Sequence, residues 1–223
     1  QGDTYLRGDE PGEMGDNLPP VQLGSSVVVK AIVSHPAAGH TCVLLEGGSI
    51  KCWGKNNSGE LGYGDTSHRG DDPDEMGDNL PSVNLGGTAE AVAVGSGHTC
   101  AVLTAGSVKC WGFNYYGQLG YGDTADRDAA VDPVNLGTGQ TAKALSLGGS
   151  FSCAVLGDGS LKCWGENNYG QLGYEDTVQR GDGVDEMGDN LEVVNLGTGR
   201  IVVSIASAGI HNCALLDNGD IKC

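Results

Sequence analysis

Four apolar segments recur along the chain: VVVKAIV ahead of Cys42, AEAVAV ahead of Cys100, TAKALSL ahead of Cys153 and RIVVSIAS ahead of Cys213. Each is too short for an ordinary amphipathic helix and is followed by glycine, serine or histidine, so each predicts a strand. A second pattern follows every one. CVLLEGGSIKC, CAVLTAGSVKC, CAVLGDGSLKC and CALLDNGDIKC place apolar arms on either side of a small polar turn, which predicts a β-hairpin. With a VNL-type segment in the connector, each unit holds up to four short strands.

The first cysteines of these hairpins stand at 42, 100, 153 and 213, so the unit repeats every 58, 53 and 60 residues. One small sheet cannot bury both its faces, whereas sheets stacked face to face make a continuous core. A repeated four-strand unit of this size predicts an all-β fold of propeller blades, about four of them, as a partial or open β-propeller. The repeats divide the single domain 1–223 into a tail of a preceding unit at 1–4, repeats at 5–66, 67–124 and 125–177, and an incomplete repeat at 178–223. The repeat phase at the two ends leads to the expectation of a longer array, with further blades from the same longer chain or from another subunit.

Between units the connector has two lengths. RGDDPDEMGDNLPSVNLG from Arg69 and RGDGVDEMGDNLEVVNLG from Arg180 are long, whereas RDAAVDPVNLG from Arg127 is seven residues shorter, a variation that a surface loop tolerates.

Composition agrees with a turn-rich β protein: 39 glycines and an aromatic fraction of 5% leave little for long helices. Charge narrows the partners. A net charge of -17 argues against nucleic acid or an anionic membrane, both of which select basic surfaces, and fits cationic partners or divalent cations. No apolar run is long enough to insert directly in a membrane.

The cysteines follow from the hairpin. Gly48, Gly106, Gly159 and Gly219 each lie six positions after the first cysteine, where a three-residue loop of a type I turn plus a left-handed residue wants glycine. That register sets Cys42 opposite Cys52, Cys100 opposite Cys110, Cys153 opposite Cys163 and Cys213 opposite Cys223, within disulfide reach. A metal knuckle needs cysteines two to four apart, and a nucleophile is not needed eight times over. Disulfides imply an oxidising compartment, so the expected location is secreted, extracellular or at the cell surface.

The run W-G-x-N-x-x-G-x-L-G from Trp53, Trp111 and Trp164, with G-H-T-C ahead of the first two copies and G-D-T after them, resembles the regulator of chromosome condensation repeat family. The resemblance implies a β-propeller, usually closed from seven blades. It does not carry one activity: founding members exchange nucleotide on a small GTPase and bind chromatin, while others are secreted inhibitors, partners of receptors or scaffolding modules. The paired cysteines and the acidity depart from the nuclear type.

Several residues invite a chemical reading. Asp71, Asp72, Asp74, Glu75 and Asp78 are candidates for calcium, the one cofactor in view, although the run lacks the alternating oxygen ligands of a calcium loop and reads more simply as solvated turn. Arg-Gly-Asp occurs at Arg7, Arg69 and Arg180, where pairing of Arg with a nearby carboxylate is the simpler reading than an integrin ligand. His40, His98 and His211 stand two residues before a cysteine, but Phe151 replaces them in the third unit, so a local hydrogen bond is expected rather than catalysis. Tyr63, Tyr121, Tyr174, Tyr115, Tyr116 and Tyr169 are candidate contact residues or packing residues. Asn56-Asn57-Ser58 is a glycosylation sequon. No nucleophile elbow, phosphate loop or zinc-hydrolase motif occurs, so no enzyme activity is expected. The chain reads as a non-enzymatic extracellular or cell-surface propeller acting as an interaction or structural scaffold module, through a protein partner or self-assembly. The alternatives are an exchange-factor-like regulator of a small GTPase and a subunit of an extracellular filament or surface coat.

Overall fold

Twelve strands form four antiparallel three-stranded sheets in the computed structural model, which describes residues 2–4 and 7–223. The expected start of the first repeat, at Tyr5, lies outside the described residues. The blades are β1 (Val29–Ser34), β2 (His40–Leu45) and β3 (Ile50–Gly54); β4 (Ala89–Val94), β5 (His98–Leu103) and β6 (Val108–Gly112); β7 (Ala142–Leu147), β8 (Phe151–Leu156) and β9 (Leu161–Gly165); and β10 (Val202–Ser207), β11 (Asn212–Leu216) and β12 (Ile221–Lys222). Successive blades pack on one another, and the sheets do not close into a ring. No helix among the described residues is long and apolar enough to cross a membrane.

Among the described residues the expected fourth strand does not form. Val83, Val134 and Val194 each donate a single backbone hydrogen bond to the outer strand, to Ile50, Val108 and Leu161 at 2.7–2.8 Å. The next residue ends the pairing: the side-chain oxygens of Asn84, Asn135 and Asn195 accept the amides of Gly86, Gly137 and Gly197. Such an Asx turn bends the chain away from the sheet before a second ladder bond forms.

The hairpins adopt the expected register. Leu45 donates to Ser49 and Gly48 donates to Leu45, with Gly48 at φ 75°, and the fourth hairpin repeats this with Gly219 at φ 88°. A side chain in that left-handed conformation is disfavoured, which is why each copy keeps glycine. All four cysteine pairs are disulfide-bonded, with Cα atoms 4.1 Å apart.

Apolar packing holds the blades together in three joints. Cys42, Leu44, Ile50 and Cys52 of the first blade meet Ala89, Val92, Ala101 and Leu103 of the second, and the pattern recurs between the second and third blades and the third and fourth. Each large aliphatic side chain buried this way contributes about 1.5–3 kcal/mol. The outer faces of the first and fourth blades differ. Ile32 and Ile221 are each 68% exposed, whereas their counterparts Val92 and Leu161 are 8% and 4% exposed.

Candidate interaction surface

The segment after each outer strand binds one blade to the next. Trp111 and Trp164 are buried in the joints, and their indole N–H groups donate to the carbonyls of Glu60 and Gln118 in the preceding blade, at 2.9 and 3.0 Å. The glycine two residues after each of those carbonyls makes room for the ring: a Cβ on Gly62 or Gly120 would lie 2.7 Å from the indole nitrogen. In the third joint the corresponding space is a cavity of about 380 Å³ beside Gln171 and Gly173.

The same carbonyls organise the histidines. Thr99 Oγ1 donates to the Glu60 carbonyl at 2.9 Å and Ser152 Oγ to that of Gln118 at 2.8 Å. Each hydroxyl has then spent its proton, so His40 Nε2–H donates to Thr99 at 2.8 Å and His98 Nε2–H to Ser152 at 3.0 Å. These bonds join residues 59 and 54 positions apart, so the expectation of a local bond is corrected. In the fourth blade Asn212 takes over the hydroxyl's role, donating to the Gln171 carbonyl at 2.9 Å. Burial pushes the His40 imidazole down to about 4 and that of His98 to about 3, and His98 Nδ1 is buried without a partner.

Arginine and tyrosine close a second latch in each of the first three blades. Arg69, Arg127 and Arg180 pair with Asp65, Asp123 and Asp176 four residues earlier, at 2.6–2.8 Å, and lie over the rings of Tyr63, Tyr121 and Tyr174. Arg7 pairs with Asp3 in the same way. The arginine of every Arg-Gly-Asp copy is therefore engaged within the blade. The tyrosine hydroxyls accept the amides of Cys52, Cys110 and Cys163, and burial pushes those of Tyr63 and Tyr174 up to about 12. These three tyrosines are packing residues.

Asn56 is fully buried. Its amide donates to the carbonyls of Asp65 and Ser67 and its oxygen accepts the amide of Leu61, an arrangement that Asn114 and Asn167 repeat. Both amide hydrogens of Asn56, the sequon asparagine, face protein acceptors.

The acidic connector residues also have structural occupations. Glu75 accepts the amides of Gly70 and Asp72, and Asp78 accepts the amide and hydroxyl of Ser25, which hold its carboxyl below the usual range. Asp71, Asp72 and Asp74 lie along the same turn, and no group of three His, Cys, Asp or Glu among the described residues is placed to share a metal.

Lysine is the residue that motif reading missed, although one stands directly before the second cysteine of every hairpin. Lys51 Nζ donates to the carbonyls of Leu23 and Gly77, and Lys162 to those of Leu136 and Gly188, tying the incoming and outgoing connectors of a blade together.

Aromatic side chains remain exposed at the blade ends where the outer strands finish. Tyr115 and Tyr169 are 66% and 71% exposed. Phe113 stacks on Tyr115 at 6.4 Å between centroids, and Tyr116 meets Tyr115 edge-on at 5.0 Å.

The regulator of chromosome condensation (RCC1) repeat matches residues 38–60, 90–118 and 142–171, and a second description of that repeat matches residues 105–155. The chain is 29% identical to the ultraviolet-B receptor UVR8 of Arabidopsis thaliana over 195 residues, 86% of this chain and 40% of that protein. It is 34% identical to the protein RCC2 homolog of Danio rerio over 168 residues, 72% of this chain and 32% of that protein. The crystal structure of human WBSCR16 shares the fold with a TM-score of 0.70 at 20% identity, covering 87% of this chain and 46% of that one. The chain thus spans less than half the length of each of these relatives.

Proposed function

Since the chain belongs to the regulator of chromosome condensation (RCC1) repeat family, we propose that it serves as a non-enzymatic, disulfide-reinforced propeller module that binds a protein partner in an oxidising compartment. The cluster of exposed Tyr115 with half-buried Phe113 and Tyr116 carries this reading. His40, His98, Trp111 and Trp164 join neighbouring blades, and the arginines and buried tyrosines latch each unit internally, whereas Tyr115 projects into solvent from a stacked aromatic cluster. Aromatic residues dominate the energetics of protein interfaces. The net charge of -17 adds long-range attraction for a basic partner and weakens with salt.

Affinity capture from the surface or medium of the native source, with Tyr115→Ala as the control, tests the partner. Loss of a specific binder in the variant supports the reading, and equal capture by both proteins removes it. Thiol trapping tests the compartment. Four bridges in protein taken from its source support an oxidising location, and eight free thiols would favour regulation of a small GTPase, the second reading that the family suggests.

A further inference from the structure

The long connectors that leave the first and third blades each dock a short Gly-Asp-Asn turn against the connector that enters the same blade. In the first blade the turn Gly77–Asn79 fills this slot: Gly77 N–H donates to the Gln22 carbonyl at 2.9 Å, Lys51 donates to the Gly77 carbonyl at 3.2 Å, and Asp78 accepts the Ser25 amide at 2.7 Å. In the third blade Gly188–Asn190 does the same, with Gly188 N–H on the Asn135 carbonyl at 3.0 Å, Lys162 on the Gly188 carbonyl at 2.8 Å and Asp189 on the Thr138 amide at 2.8 Å. Both slots combine one acceptor carbonyl, one lysine and one free amide.

The second blade has the slot without the turn. Its outgoing connector is the short one, so the Gly-Asp-Asn sequence is missing. The equivalent groups are the Asn84 carbonyl, Lys109 and the amide of Gly87; Asn84, Lys109 and Gly86, whose peptide bond carries that amide, line a cavity of about 550 Å³. A Cβ on Gly24 or Gly137 would meet an aspartate oxygen at 2.9 or 2.8 Å, whereas one on Gly86 would meet only Lys109 Nζ, at 3.8 Å. Lys109 donates to the carbonyls of Ala130 and Val131 on the other side and keeps a third N–H.

We propose that this open slot binds an exposed Gly-Asp turn of a separate partner polypeptide. The carboxylate takes the Gly87 amide beside the Lys109 ammonium, and the turn's glycine N–H donates to the Asn84 carbonyl, reproducing the contacts made within the chain in the first and third blades. The inference does not depend on what the aromatic cluster binds. Asp132 also lines the cavity and opposes an anionic ligand.

A cyclised peptide carrying Glu-Met-Gly-Asp-Asn-Leu, the sequence of residues 75–80, is the probe, titrated into the intact chain while the Gly87 amide is followed by NMR. Binding is expected with Kd of about 0.1–1 mM. It should weaken at least about tenfold when the peptide aspartate becomes asparagine or in Lys109→Gln, as loss of a charge-assisted hydrogen bond requires. Asp132→Asn, at an exposed position, should tighten it. Replacing residues 127–133 by the sequence of residues 180–193 should fill the slot from within and abolish binding. No shift at Gly87 would overturn the proposal, as would binding indifferent to both charge removals. Lys109-dependent dimerisation of the chain alone would also overturn it, by making the occupant a second copy.

Discussion

The indole of Trp164 donates to the backbone carbonyl of Gln118 at 3.0 Å, and the two residues belong to neighbouring blades. Ser152 donates to the same carbonyl, so Gln118 keeps one partner if the indole is lost. Trp164→Phe should therefore cost about 1–2 kcal/mol, mainly the hydrogen bond and a little packing, and Trp164→Ala about 3–5 kcal/mol. Trp53 is only half-buried and no corresponding bond is formed among the described residues, so Trp53→Phe should cost less than about 0.5 kcal/mol. Urea unfolding of the three variants checks the order, and an equal loss at Trp53 and Trp164 would contradict it.

Burial separates the disulfides. The six cysteines of the first three hairpins are at most 1% exposed, whereas Cys213 is half-buried and Cys223 exposed. Under mild reductant the Cys213–Cys223 bridge should open first, because a thiolate must reach a sulfur to attack it. Alkylation followed by peptide mass mapping reads the sequence of opening. Each bridge closes a short loop worth about 3 kcal/mol in the chain-entropy picture, so replacing Cys100 and Cys110 together by alanine should lower stability by up to about that amount.

How far the sequence could be read depended on the range of the interaction. The hairpin register was legible because Gly48 and Cys42 act within one turn, and turn chemistry is local. The arginine pairs were legible too, since Arg69 and Asp65 are four residues apart. His40 on Thr99 was not, because nothing within one repeat says that a side chain will reach into the next blade. The fourth strand was overestimated since VNL has the apolar pattern of a strand, and only the Asx turn at Asn84 shows that the ladder stops. At Asn56 the sequon was legible but the burial of its side chain was not, because the acceptors that enclose it lie nine and eleven residues on.

Asn114 offers a direct test of that inward hub. Its amide nitrogen donates to the carbonyls of Asp123 and Ala125 and to the Asp123 carboxylate, all acceptors, in a position with no exposure. Asn114→Asp would aim a carboxylate at three oxygens, and an uncompensated buried charge costs several kcal/mol. A loss above about 3 kcal/mol is expected, larger than for Asn114→Ala, and the reverse ranking in thermal unfolding would refute the hub. In a glycosylating host, Asn56 of the folded protein should stay unmodified, as intact mass before and after glycosidase would reveal.

The buried imidazoles give the fold a pH dependence whose sign is fixed. His40 and His98 titrate near 4 and 3 in the folded chain because burial disfavours their charged forms. In the unfolded chain they titrate near about 6.5, so below that pH the unfolded state binds more protons than the folded one. Their contribution is complete above about pH 6.5 and is lost progressively as the pH falls toward the folded values. One such histidine accounts for about 2 kcal/mol between pH 7.5 and pH 5. His98→Phe isolates it, since Phe151 fills the same position in the third blade and Gly148 faces that ring as Gly95 faces His98. The variant should lose less stability than the parent between pH 7.5 and pH 5 in urea titrations. An unchanged difference would mean that His98 is not the group being protonated on unfolding.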